Sequence, residues 1–278
     1  MTTVTTAVGG VASFLLFFRA VCSLFIGATS FAMSRVELLN PEGLRVDGRR
    51  ANELRKLSCK LSPLQHADGS AYIEQGNTKV LAVVYGPRET RHRAQVMHDR
   101  AYINVEYLVA PFSAGERKKR SKNDKRLLEL ALAVKQTFDS VVMTTLHPRS
   151  QIDIYLQVLQ DDGGALQASI NAATLALVDA GVPMVDYVCA CTGGCVDSQA
   201  LLDLNHIEES SAETPDLTVA ILPRSGKVTL LQMTSRVHSD QFEQMLNLAM
   251  EGCRQVHAVL DSSVRDSMQQ LADQMTHR

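Results

Sequence analysis

The chain has 278 residues, 45% hydrophobic and 21% charged, which suits one large globular domain or two small ones and excludes a disordered, collagenous or multispanning protein. Its 28 Lys+Arg against 30 Asp+Glu give no global basicity that would point to nucleic acid. The distribution is uneven: residues 88–126 carry 11 basic and 5 acidic residues, whereas residues 161–278 carry 6 basic and 16 acidic.

The first 32 residues hold one charge, Arg19, which splits an apolar stretch into Val11–Phe18 and Ala20–Ile26. Neither run reaches the ~20 residues of a membrane span, so no membrane partner is expected. No Lys/Arg region precedes the first run, and a transit peptide would carry more arginine. Residues 1–32 therefore read as a disordered or spurious extension, with a targeting role as the alternative, and residues 33–278 as a single domain. Within it Leu57–Leu64, Ser70–Gln75 and Lys79–Tyr85 are short, partly alternating runs punctuated by Gly69 and Gly76-Asn77, the pattern of an antiparallel meander. Ala101–Ala110 is a fourth strand, and the polar, basic Ser113–Lys125 is a loop. Arg126–Leu146 has helical spacing, Ile152–Leu159 alternates as a strand, and Asp162–Ala180 is an Ala-rich helix ended by Gly181 and Pro183. Strands follow at Tyr187–Val196, Ala200–Leu204, Leu217–Leu222 and Val228–Met233. A long amphipathic helix closes the chain, with Ser239 as its N-cap and Phe242, Met245, Leu246, Ala249, Cys253, Val256 and Leu260 on its apolar face. Strands, helix, strand, helix, strands, helix make an α+β layered domain.

Four features bear on chemistry. Cys189, Cys191 and Cys195 could suggest zinc, but no second cluster of ligand spacing accompanies them. Among Val188, Ala190 and Val196 they read as thiols of a buried strand in a reducing compartment. The cations Arg88, Arg91, Arg93, Arg117, Lys118, Lys119, Arg120, Lys125 and Arg126 sit in or beside connecting segments. That placement suits phosphate backbones, or equally a solvated loop or a localisation signal. Gly163-Gly164 joins a strand to a helix and offers backbone N–H groups to an anion, although Ala165-Leu166-Gln167 adds neither cation nor hydroxyl; a ligand-free turn is the alternative. Asp203 at a strand end, with Glu208 and Glu209 after it, could hold Mg²⁺ or form an acidic surface loop.

Taken together, Asn40–Arg50, Asp68–Ser70, Gly76–Val80, Tyr85–Arg88, Pro111–Ser113, Gln151–Asp153, Val158–Gly164, Ala172–Ala176 and Asp179–Pro183 resemble the RNase PH family of phosphate-dependent 3′→5′ exoribonucleases and their exosome relatives. The stretches run in family order over nearly all of residues 40–260. The resemblance implies a ribosomal protein S5 domain 2-like fold and a six-membered ring of RNase PH-type subunits threaded by single-stranded RNA. It implies further partners, RNA-binding cap subunits and a separate nuclease subunit, and a place in nucleus, nucleolus and cytoplasm. In active members a Gly-Thr-Arg-Thr-Ala-like segment holds phosphate; here it is Gly164-Ala-Leu-Gln-Ala168, with Leu166 at the arginine position. The paired arginines at the start of the first long helix match Lys125-Arg126, and the metal-binding or acidic carboxylates match Asp203 and Glu209. The RNA-path arginines fall on or near Arg91 and Arg93.

Phosphorolysis needs a cation and preorganised donors for its dianionic nucleophile. Leu166 supplies neither, so the expectation is a non-catalytic exosome ring subunit, with Asp203 and Glu209 vestigial, that supports rRNA processing and mRNA decay. It requires no cofactor, Mg²⁺ entering only with residual activity. The alternatives are an active enzyme using Arg126, Asp203 and the Gly163/Gly164 backbone, and a stand-alone RNA-binding module.

Overall fold

In the computed structural model the described residues are 38–40, 42–90, 96–115, 117, 124–196, 199–211 and 214–276; the expected extension at 1–32 lies outside them. Strands β1 (Leu57–Leu61), β2 (Gly69–Gln75) and β3 (Thr78–Glu89) form the expected antiparallel meander, with Gly76 at φ +59° closing the β2–β3 turn. Along β3 the buried Val80, Ala82 and Val84 alternate with half-buried Leu81, Val83 and Tyr85, so one face of the sheet makes the core. Strand β4 (Tyr102–Val109) does not continue the meander. Strand β5 (Ser150–Gln160) inserts between them, antiparallel to β3 and parallel to β4, giving the five-stranded order β1-β2-β3-β5-β4.

Helix α1 (Lys125–Asp139) buries Leu127, Ala131, Val134 and Phe138, and the Asp124 side chain caps it by accepting the Arg126 N–H at 3.3 Å. It ends at Asp139, seven residues short of the expected Leu146. Val141 and Val142 leave the helix for the core, and Val142 forms a bridge with Met184; β-branched side chains favour that extended exit. A single 3-10 turn follows at Thr144–Leu146.

Helix α2 (Ala165–Asp179) is buried from Leu166 to Leu177 without a polar stripe. Its Gln167, Ser169, Asn171 and Thr174 are buried together with its leucines and alanines, so the helix is enclosed all round: β2, β3 and β5 lie on one side, and the second sheet lies on the other. That sheet has the order β7-β6-β8-β9, all antiparallel, from β6 (Cys189–Val196), β7 (Gln199–Leu202), β8 (Asp216–Leu222) and β9 (Lys227–Met233). Asn171 fastens α2 to it, donating to and accepting from the Ala190 backbone at 3.0 and 2.8 Å. The short helix α3 (His206–Glu209) follows β7. The long helix α4 (Ser239–Thr276) packs its Met245, Ala249, Cys253, Val256 and Leu260 stripe on β6, β7 and β8. Gly252 permits this approach, because a Cβ there would lie 2.6 Å from a Leu202 methyl and 3.0 Å from the Cys191 sulfur.

The residues from Leu38 onward form one compact unit. Cys189, Cys191 and Cys253 lie in its core, and burial raises their thiols, that of Cys253 to about 12. They serve as small hydrophobes. No helix among the described residues is long and apolar enough to cross a membrane.

Candidate functional site at the glycine turn

The site begins where β5 ends. Gly163 and Gly164 take φ +83° and +66°, in the left-handed region. Gly163 needs its missing side chain for a second reason: a Cβ would lie 2.6 Å from the Asn205 carbonyl carbon and 2.7 Å from the His206 nitrogen. The turn is thus pressed against the start of α3.

Its carbonyls face inward to a buried polar hub centred on Asp203, which is fully buried. One carboxylate oxygen accepts from Arg55 Nη2 at 2.7 Å, Gln75 Nε2 at 3.0 Å and Gln167 Nε2 at 2.6 Å. The other accepts from the Arg55 backbone N–H at 2.8 Å and from Arg55 Nε at 3.0 Å. Arg55 also donates to the Asp162 carbonyl at 2.8 Å and the Gly163 carbonyl at 3.1 Å, the latter shared with Thr78 Oγ1 at 2.8 Å. Burial pushes the Asp203 carboxyl up, but the hydrogen bonds and charge of Arg55 overrule it and hold the group below the usual carboxylate range. A second buried pair lies beside it: Arg45 Nε donates to Glu208 Oε1 at 2.8 Å. Glu208 Oε2 accepts the Asn205 N–H at 2.9 Å and completes the capping box of α3.

The two carboxylates matched to the family's acidic pair therefore do different work. Asp203 is saturated by five donors and has no lone pair for a cation. Glu209 stands on the solvent side, where its Oε2 accepts the Gly164 N–H at 2.9 Å. Loss of hydration raises its carboxyl above the usual range, with Asp161 and Asp216 adding to the rise and the Gly164 N–H and His206 opposing it. Asp203 is thus a buried structural carboxylate, and neither it nor Glu208 belongs to an acidic surface loop, one of the two sequence readings. The residues present do not fit a Mg²⁺ ion, and among the described residues no group of three or more His, Cys, Asp or Glu is placed to hold a metal.

The segment after the turn faces the interior. Leu166 is 9% exposed and belongs to the main core. Ala165 packs against that core, and Gln167 is fully buried between Asp203 and the Thr192 N–H, which it accepts. No cation or hydroxyl from residues 165–167 addresses the turn. Gly164 has no side chain to cap α2, and Glu209 supplies the acceptor from α3 instead.

The basic residues divide. Arg88 lies within β3 and is paired with the buried Asp153, whose other oxygen takes the Asn104 amide at 3.0 Å. Its guanidinium lies 5.6 Å from the Tyr85 ring centroid. Arg88 is thus a compensated charge in a sheet rather than a free cation beside a turn. Arg117, Lys125 and Arg126 are exposed, the last two on the first turn of α1. The Asp161 N–H donates to the Ser113 carbonyl at 3.0 Å, so the segment leading into the cationic stretch starts beside the glycine turn. Arg91, Arg93, Lys118, Lys119 and Arg120 lie outside the described residues. Arg45, Arg55 and Gln75 carry no sequence signal as site residues, because no spacing links them to Asp203 or to one another.

The family model described as 3′ exoribonuclease family, domain 1, matches residues 53–183, and the model for domain 2 of that family matches residues 186–252. Exosome complex component RRP41 of Bos taurus is 55% identical over 239 residues, covering 86% of this chain and 97% of that protein. The Arabidopsis thaliana protein named exosome complex component RRP41 homolog is 47% identical over 244 residues, covering 87% of this chain and 99% of its own. The crystal structure of rice (Oryza sativa) Rrp46 superposes with a TM-score of 0.72 at 26% identity, covering 80% of this chain and 100% of that one.

Proposed function

The chain belongs to the 3′ exoribonuclease (RNase PH) family, and from that membership we propose that it is a non-catalytic ring subunit of an RNA exosome. It pairs with a second RNase PH-type subunit, joins a six-membered ring, and helps guide single-stranded RNA toward a nuclease that another subunit supplies. Cap subunits bind the same ring. The setting is nucleus, nucleolus and cytoplasm, and the processes served are rRNA processing and mRNA decay.

One observation carries the lack of catalysis. The turn that would receive phosphate has Leu166 in the core, Gln167 in the hub and its Gly164 N–H bonded to Glu209. Phosphate arriving there meets a carboxylate instead of a guanidinium. Losing one preorganised electrostatic element commonly costs about 10²–10³ in rate, before any loss of phosphate binding. Hydrolysis gains nothing in exchange, because the saturated Asp203 is no free base for activating water.

RNA binding falls to Arg91, Arg93, Arg117, Lys118, Lys119, Arg120, Lys125 and Arg126. Cations on connecting segments bind phosphates without reading bases, as a threading surface requires. The ring is tested by co-expressing the chain with a second RNase PH-type subunit and measuring the native mass of the purified particle. A heterodimer that closes into six is expected; a chain that stays monomeric with the partner present refutes the assignment and leaves the stand-alone RNA-binding module.

A further inference from the structure

A second concave site lies away from the glycine turn. The turn after β8, the residues leading into β6 and the middle of α4 border an open cleft of about 510 Å³ lined by Asp186, Tyr187, Pro223, Arg224, Arg254 and His257. Arg254 and His257 are one helical turn apart and share a face of α4. The His257 and Tyr187 rings meet edge-on with centroids 5.5 Å apart. Tyr187 precedes β6, whereas the Asp203 N–H bonds the Thr192 carbonyl, five residues further along. That places the cleft roughly 17 Å from the hub along the strand.

The charges of the cleft are unbalanced. Asp186 is the acid among the lining residues, and its two oxygens accept backbone N–H groups, from Tyr187 at 2.8 Å and Arg224 at 2.9 Å. It ties the turn to the strand and leaves both guanidiniums without an ion-pair partner among the described residues. Arg224 and Arg254 are exposed, and they are two of only 6 Lys/Arg in residues 161–278, against 16 Asp/Glu. Arg224 and Arg254 line the same cleft, and guanidiniums suit a phosphate or carboxylate, each offering a planar fork of donors. Tyr187, Pro223 and the His257 ring add flat apolar walls, and the volume falls in the range of about 300–1,000 Å³ typical of small-ligand sites. An acidic peptide would need an extended track of cations, whereas this cleft is lined by two arginines. A ligand with one anionic group and one flat ring needs only this cleft.

We propose that the cleft binds a nucleotide, its phosphate held by Arg224 and Arg254 and its base laid against Tyr187, Pro223 and His257. The nucleotide is either free or the terminal residue of an RNA strand. The site does not depend on the ring assignment or on the glycine turn.

The test titrates the full-length chain with adenosine and uridine 5′-monophosphates, inorganic phosphate, a short single-stranded RNA and an Asp/Glu-rich peptide, following the His257 ring resonances by NMR. Saturable nucleotide binding that moves those resonances is expected. Arg224→Ala and Arg254→Ala should each weaken it about tenfold or more, Arg254→Lys should weaken it less, and Arg236→Ala should leave it unchanged. Both arginines are exposed, so these variants keep the fold. Competition between nucleotide and RNA at the His257 signals identifies the strand end as the source; nucleotide binding without competition identifies the free form. The proposal is overturned by no saturable binding at millimolar nucleotide, or by inorganic phosphate binding as tightly as a nucleotide. It is equally overturned if the peptide alone moves the signals, or if Arg236→Ala weakens binding as much as the cleft variants.

Discussion

Replacing Asp203 with Ala removes the acceptor for five hydrogen bonds and leaves the Arg55 guanidinium buried without its counter-charge. Arg55 is 7% exposed and Asp203 fully buried, so water cannot replace the missing partner. Breaking a buried pair from one side costs about 3–5 kcal/mol, a large part of the ~5–15 kcal/mol by which a domain is stable. For a chain of this size that lowers Tm by about 6–20 °C. Removing both charges in an Asp203→Leu/Arg55→Met double variant should recover much of the loss, since the Arg55 charge goes with its partner and Arg49, 3.7 Å from Asp203, keeps its pair with Asp47. The pH dependence has a definite sign. Asp203 titrates below its ordinary value in the fold, so its contribution is complete above the unfolded value of about 3.9 and disappears as pH falls through the lowered folded value. The assay is thermal unfolding by circular dichroism of the chain with its partner, at neutral pH and across the acid range. An Asp203→Ala variant that melts within about 2 °C of the parent would refute the hub, since even 1 kcal/mol shifts Tm by that much. Asp203→Ala is therefore a poor probe of catalysis, because lost activity would report lost fold.

Glu209 behaves in the opposite sense. Its carboxyl is raised in the fold, so its contribution is greatest at low pH and is lost as pH rises through the raised value. Glu209→Gln, which keeps an acceptor for the Gly164 N–H, should melt no earlier than the parent at neutral pH, whereas Glu209→Ala should cost about 1 kcal/mol; equal Tm values for the two would discount the cap. Arg91→Ala with Arg93→Ala should weaken RNA retention by the assembled ring and reduce its salt slope by about 0.7 for each phosphate no longer neutralised, similarly for all RNA sequences; an unchanged slope in filter binding places these cations off the RNA path. Deleting residues 1–32 should leave Tm and assembly intact, since the compact unit begins at Leu38; loss of the particle in size-exclusion chromatography would assign the segment a structural role.

Much of the fold was legible because its strands alternate and its helices carry stripes. The partly alternating run Lys79–Tyr85 marked a strand, although Leu81, Val83 and Tyr85 are as apolar as Val80, Ala82 and Val84 and left its buried face open, and the helical spacing after Arg126 announced α1. Neighbours were not legible. Alternation says which face of a strand is buried but nothing about its partner, so the insertion of β5 between β3 and β4 left no mark in either strand. Helix α2 was recognisable from its Gly-Gly start and alanines, but its enclosure between two sheets emerges only from packing. At the site, Gly163-Gly164 and the departure at Leu166 stood out by resemblance. The hub did not, because Arg55 and Asp203 are 148 residues apart and no spacing links them. Arg88 misled for the same reason: Arg91 and Arg93 follow it closely in sequence, whereas its partner Asp153 is on another strand.

Whether this chain performs phosphorolysis decides between a guiding subunit and an enzyme. The decisive measurement is the release of nucleoside diphosphates from a 3′ single-stranded RNA end by the chain paired with its RNase PH-type partner, in millimolar phosphate and Mg²⁺. No release is expected, because Leu166 offers phosphate no charge and Glu209 occupies the turn. Robust, phosphate-dependent release that disappears in Glu209→Gln, a change the fold should tolerate, would contradict the non-catalytic assignment and make the chain an active exoribonuclease.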